Sequence, residues 1–134
     1  ITNMADKSSI NKAFNTLLFS FVDDIITIFP EQEDIATAKT SMMSFKQMNP
    51  SLLIKSWYKM VYMPYANVID AGDVSFFFDK DYSGDLQNVP NGKELMKMID
   101  KVRGPIRSMD DTNRGHCAEY VLKLSKLSEM YSSM

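Results

Sequence analysis

The sequence predicts an all-α protein: a compact bundle of five to seven helices with short connections and one polar loop over residues 79–92. Three observations predict it. Apolar residues recur every three or four positions through most of the chain, the period that lines them up along one helix face. Cap and stop residues fall where those stripes begin and end. Alternation with a period of two, the mark of a half-buried strand, is missing over any useful length.

The first stripe is Ile10, Phe14, Leu17, Leu18, Phe21, Val22, Ile25 and Phe29, with Ser8 or Ser9 as the expected cap and Pro30 as the stop. A second helix is expected over 32–48, turning Ile35, Ala38, Met42, Phe45 and Met48 inward. Its acidic start (Glu31, Glu33, Asp34) suits the positive end of a helix dipole. Asn49-Pro50 reads as a cap followed by proline at the first helical position. A third helix then carries Leu53, Ile54, Trp57, Tyr58 and Val61 as far as Pro64. A short fourth piece over 65–71 ends at Gly72, a residue suited to a left-handed stop. Asp73 can cap one or two turns through Val74 and Phe76 to Phe78 before the polar loop. A fifth helix is expected over 93–103, interrupted by Gly104-Pro105. Asp110 then caps a long last helix with Cys117, Tyr120, Val121, Leu124, Leu127 and Tyr131 on its stripe. The 134 residues suit a single domain over 1–134, with the first eight residues read as a flexible extension.

Composition narrows the function classes. A formal charge of -2 without a basic stripe argues against nucleic-acid binding, which needs clustered Lys and Arg against phosphates. No apolar run reaches the roughly 18 residues that span a bilayer; the best, over 17–29, is broken by Ser20, Asp23, Asp24 and Thr27. One cysteine, Cys117, allows no internal disulfide and favours a reducing, intracellular setting. The chain opens on Ile1 rather than Met, which leaves room for residues upstream.

Four local features carry potential chemistry. Asp79, Asp81, Ser83 and Asp85, with Gly84, match the first half of an EF-hand calcium loop. The second half fails, because Pro90 stands where the bidentate Glu belongs, so an Asp/Ser/Gly turn is the simpler reading. Phe21-Val22-Asp23-Asp24 looks like the paired aspartates of reverse transcriptases. Within a helical period, however, the two side chains point about 100 degrees apart and cannot readily share a metal. They are expected to form a solvated or partner-facing edge. His116 and Cys117 are single residues of their kinds and diverge as helix neighbours, which predicts a surface imidazole and a core thiol rather than a catalytic pair. The eleven methionines could supply an adaptable binding surface or fill the core, and core is expected for most. No enzymatic activity and no cofactor are expected, because no convergent set of His, Cys and carboxylates is visible.

The expected protein-binding residues are Trp57, Tyr62 and Tyr65, near Pro64, and Phe76, Phe77 and Tyr82. The same aromatics could instead form a core junction or plug the bundle.

Five stretches carry a family resemblance: 19–30 (FSFVDDIITIFP), 34–40 (DIATAKT), 57–65 (WYKMVYMPY), 69–86 (IDAGDVSFFFDKDYSGDL) and 96–109 (MKMIDKVRGPIRSM). In this order and spacing the chain resembles a family of small helical proteins encoded by giant viruses, the nucleocytoplasmic large DNA viruses. The similarity runs from about residue 14 to 131, and the phrase around FFFDKDY is its most specific part. The resemblance implies a viral protein expressed in the host cytoplasm. With no catalytic chemistry in view, the expected role is structural: a minor capsid or cement component in the virion, contacting the major capsid protein or other minor capsid proteins. Two alternatives stay open, a non-virion adaptor that binds a host or viral protein and a weak calcium-binding module built on Asp79 to Asp85.

Overall fold

The first helix starts two or three residues earlier than its serines suggest. In a computed structural model that describes residues 6–72, 93, 94, 97, 100, 101, 104, 105 and 108–134, helix α1 spans Lys7–Ile28. Its cap is Asp6, whose carboxylate accepts from the Ser9 N–H at 2.8 Å. Ser9 is thus the third helical residue, where it supplies a donor to the cap and is not the cap itself. The stripe is buried as expected at Ile10, Phe14, Leu18, Phe21, Val22 and Ile25, joined by Asn15.

Helix α2 (Glu33–Met48) follows a tight turn and buries Ile35, Ala38 and Met42 against α1, with Phe45 half-buried. Met48 departs from expectation: it is 73 % exposed, because the last turn of α2 runs past the core it packs on. Lys39 reaches Asp23 at 2.6 Å and Lys46 lies 5.5 Å from the centre of the Phe19 ring, so the two helices run antiparallel.

Asn49-Pro50 forms a turn rather than a helix start, and α3 (Leu52–Trp57) begins two residues later with Ser51 at its N-cap. The reason lies in Pro50, whose carbonyl accepts from Nδ2 of Asn11 at 2.9 Å and of Asn15 at 3.2 Å. A carbonyl committed to α1 is held in the turn. The chain does not then stop at Pro64. α3 passes into a π-helical turn (Tyr58–Tyr62), a 3₁₀ turn (Met63–Tyr65) and α4 (Ala66–Asp70). Proline inside an α-helix clashes with the carbonyl four residues back, here that of Met60. The wider turn, closed by the Met63 N–H on the Tyr58 carbonyl, moves that carbonyl aside and lets helical winding continue. Gly72, at φ +88, ends α4 in the left-handed conformation its type allows.

Helix α5 (Asp111–Ser133) is capped as expected: the Asp110 carboxylate accepts from the Asn113 N–H at 2.8 Å. It packs antiparallel along α1, its most extensive neighbour, and also covers α3 and the π turn. Phe14, Phe21, Ile25, Ile35, Ile54, Val61, Val121 and Leu124 are fully buried in one continuous core. Each contributes roughly 1.5–3 kcal/mol by leaving water.

Every element among the described residues is helical, so the chain is all-α. Four helical units have described bounds, where five to seven helices are expected: the run Leu52–Asp70 joins what the sequence divides at Pro64, and the expected turns over 73–78 and the bounds of the fifth helix lie outside the described residues. Residues 93, 94, 97, 100 and 101 are helical where the fifth helix is expected. Gly104 and Pro105, expected to interrupt, are themselves helical; proline's fixed φ lies within the helical range. No helix among the described residues is long and apolar enough to cross a membrane.

Candidate binding groove between the first and last helices

Adjacent residues on α1 face different neighbours, and Asp23 and Asp24 illustrate the consequence. Asp23 turns to α2 and pairs with Lys39, while Asp24 turns to α5 and accepts the Tyr120 hydroxyl. The two carboxylates therefore do not converge. Both are exposed, as a solvated edge requires.

Asp24 stands at the lip of a groove of about 220 Å³ lined by Phe21, Asp24, Ile25, Thr27, Ile28, Asn113, His116, Cys117 and Tyr120. Residues 113, 116, 117 and 120 share one face of α5 by their three- and four-residue spacing, and residues 21, 24, 25 and 28 do the same on α1. The groove thus gathers Asp24, His116 and Cys117, which the sequence presents as separate features. Tyr120 is the piece sequence reasoning took only as core. Its ring stacks on Phe21 at 4.9 Å and 17°, and its hydroxyl fixes Asp24. That hydrogen bond, with partial burial and the nearby carboxylate, pushes the Tyr120 phenol up to about 12.

Cys117 is buried and its Sγ–H donates to Sδ of Met109 at 3.6 Å. Burial, followed by the Asp24 charge, raises it to about 11, so it is protonated at neutral pH, the reverse of an activated cysteine. His116 is exposed on the rim, one residue and a hundred degrees away. Among the described residues no group of three or more His, Cys, Asp or Glu could hold a metal ion. What the arrangement offers is shape and charge: apolar walls, a fixed carboxylate and an amide.

The expected protein-binding aromatics sit elsewhere. Trp57 is half-buried, edge-on to Phe14 at 6.0 Å, and its indole N–H donates to Oγ of Ser125 at 2.9 Å. Tyr62 is 8 % exposed and shares its hydroxyl with the Asp70 carboxylate at 3.3 and 3.4 Å; burial first, then Glu129 and Asp70, raises its pKa. Tyr65 is half-buried against the core. Phe76, Phe77 and Tyr82, and the turn with Asp79, Asp81, Ser83 and Asp85, lie outside the described residues, as does the polar loop over 79–92.

The methionines divide. Met42, Met60 and Met109 are buried, whereas Met43, Met48, Met63, Met130 and Met134 are exposed. Pro64 and Val68 extend the exposed apolar edge beside Met63. No family model, curated protein or solved structure matches the chain.

Proposed function

We propose that this chain is a viral structural protein, a minor capsid or cement component that stabilises the capsid shell through protein–protein contacts. It acts by binding rather than catalysis, in virions assembled in the host cytoplasm, with the major capsid protein or another minor capsid protein as partner. The resemblance to helical proteins of giant viruses supplies the setting. The mode of action rests on one observation: the fold leaves Met43, Met48, Met63, Val68 and Ile28 exposed, spread over α1, α2 and the run Leu52–Asp70. Thioethers repack against irregular surfaces at little cost, so exposed methionine on a fixed scaffold suits adhesive contact with a partner.

Cross-linking mass spectrometry on purified virus particles tests it. The expected result is abundant links from exposed lysines, Lys46 and Lys59 among them, to a capsid protein. Absence of the chain from clean particles overturns the shell role and turns the search to infected-cell partners, where the same surface would serve an adaptor.

A further inference from the structure

We infer that the groove between α1 and α5 receives an arginine side chain from the partner protein, with Asp24 as its counter-charge. The inference rests on the protein-binding reading above and specifies one contact within it.

Size comes first. A groove of about 220 Å³ is smaller than the roughly 300–1,000 Å³ of small-molecule clefts and suits a single long side chain. Its walls match the stem of such a chain. Phe21 and Ile25 line its apolar side, and Ile28 stands 38 % exposed on the lip. A purely aliphatic occupant would satisfy these but not the rim.

Charge decides the tip. Lys39, which the fold brings to this end of α1, is paired with Asp23. Among the described residues Asp24 pairs with the Tyr120 hydroxyl, a neutral donor, which fixes the carboxylate in place without neutralising it. An anion held at the mouth of an apolar groove favours a cationic guest with an apolar stem. Between the two cationic side chains, the spread of acceptors favours arginine. The Asp24 carboxylate, the Thr27 hydroxyl and the Asn113 amide all line the groove, and a planar guanidinium presents five donors where an ammonium presents one compact charge. Guanidinium is also the more weakly hydrated of the two, so it enters an apolar groove more readily.

Titration of the full chain by ¹H–¹⁵N correlation spectroscopy tests this with N-acetyl-arginine methylamide as the probe. The matched lysine derivative and the uncharged citrulline derivative are the comparators. Arginine is expected to shift the backbone resonances of Asp24, Thr27, Asn113 and Cys117. Citrulline should bind about tenfold more weakly, the loss of one charge-assisted hydrogen bond, and lysine should fall between them. Asp24→Asn should weaken arginine binding by a similar factor while Asp23→Asn leaves it unchanged. Ile28→Arg, at an exposed position that tolerates replacement, should fill the groove from within and abolish the response. Equal binding of arginine and citrulline, shifts scattered away from the groove, or an Asp24→Asn chain that binds arginine like the parent would each overturn the proposal. The titration is independent of the particle experiment. Arginine binding without links in virions retires the shell role and keeps the groove; links without arginine selectivity do the reverse.

Discussion

The two ends of the α1–α5 pair are built from the same helices and finished differently. At one end, Phe14 meets Trp57 edge-on, the Trp57 indole bonds Ser125, and Ser125 and Ser128 are wholly buried. Serine is small enough for α3 to press close, and the Ser128 hydroxyl is satisfied by the Ser125 carbonyl at 2.7 Å. Lys7 over the Tyr131 ring, at 4.9 Å, finishes that end. At the other end no third helix among the described residues supplies a large side chain, and a groove lies between Ile25, Ile28, Asn113 and Tyr120. The lesson is that helix pairing alone does not close an interface. A knob from a third element does, and where it is missing a groove remains.

The largest effect expected follows from that contrast. Phe14 and Phe21 are both fully buried on α1, but Phe14 is enclosed and Phe21 borders the groove. Truncating a buried phenylalanine costs about 3–5 kcal/mol, more where the surroundings cannot collapse or admit water. Phe14→Ala is expected near the top of that range, about 5 kcal/mol, and Phe21→Ala near the bottom, about 3 kcal/mol. Denaturant melts of both variants check this, and equal losses would break the comparison between closed and open ends.

A step smaller, the indole can be tested without removing its ring. Trp57→Phe keeps most of the apolar contact with Phe14 and leaves the fully buried Ser125 hydroxyl without its donor. The expected loss is about 1–3 kcal/mol, the cost of an orphaned buried polar group. Trp57→Phe in a Ser125→Ala background should recover part of it, since both halves of the pair are then gone.

At the open end the corresponding polar contact is wetter. Tyr120→Phe removes the hydroxyl from Asp24 and is expected to cost about 0.5–1.5 kcal/mol at neutral pH. The pH dependence has a definite sign. Tyr120 is raised from 10.0 to about 12 and Cys117 from 9.0 to about 11, so both hold their protons more tightly in the folded chain. Their contribution is fully present below about pH 9 and is lost as pH climbs through the window from 9 to 12. Melting temperature measured across that window should fall less steeply in Tyr120→Phe, and less again when Cys117→Ala is added. An alkaline slope identical to the parent's would mean that neither group is linked to folding.

The helix stripes and their caps were easier to read in the sequence than what packs across them. The stripe through Ile10, Phe14, Phe21 and Ile25 is strongly periodic, and Asp110 and Gly72 are local signals whose physics acts within a few residues. Pro64 misled because proline's local preference is to stop a helix, while packing of Val61, Tyr62 and Ile69 holds the winding through it with a π turn. Ser125 and Ser128 are fully buried although polarity alone gives them no place in a core; only a close neighbour makes a small hydroxyl residue the right core residue. Met48 lies in phase with a buried stripe but beyond the reach of its partners. The groove was least legible of all. Asp24 and Tyr120 are 96 residues apart, and nothing in either local pattern announces the other. The spacing of 113, 116, 117 and 120 does define one helix face, which marks a shared environment without saying what faces it.

The smallest effect tests the two aspartates against each other. Asp23 and Lys39 form a surface pair with side chains 52 % and 32 % exposed, worth about 0.2–1 kcal/mol at low salt. Asp23→Asn should therefore destabilise by no more than that. The difference from the parent should fade as ionic strength rises toward 1 M, where screening acts within about 3 Å. Asp24→Asn removes a charge with no cation beside it among the described residues, and an amide oxygen can still accept the Tyr120 hydroxyl. Its effect on stability should lie within about 0.5 kcal/mol of the parent and should not shrink with salt. Asp24 is then free to place its charge at the service of a guest rather than of the fold. A salt-sensitive loss in Asp24→Asn equal to that in Asp23→Asn would reveal a cation within the chain already on Asp24. That result would break the distinction between the two residues and remove the ground for arginine in the groove.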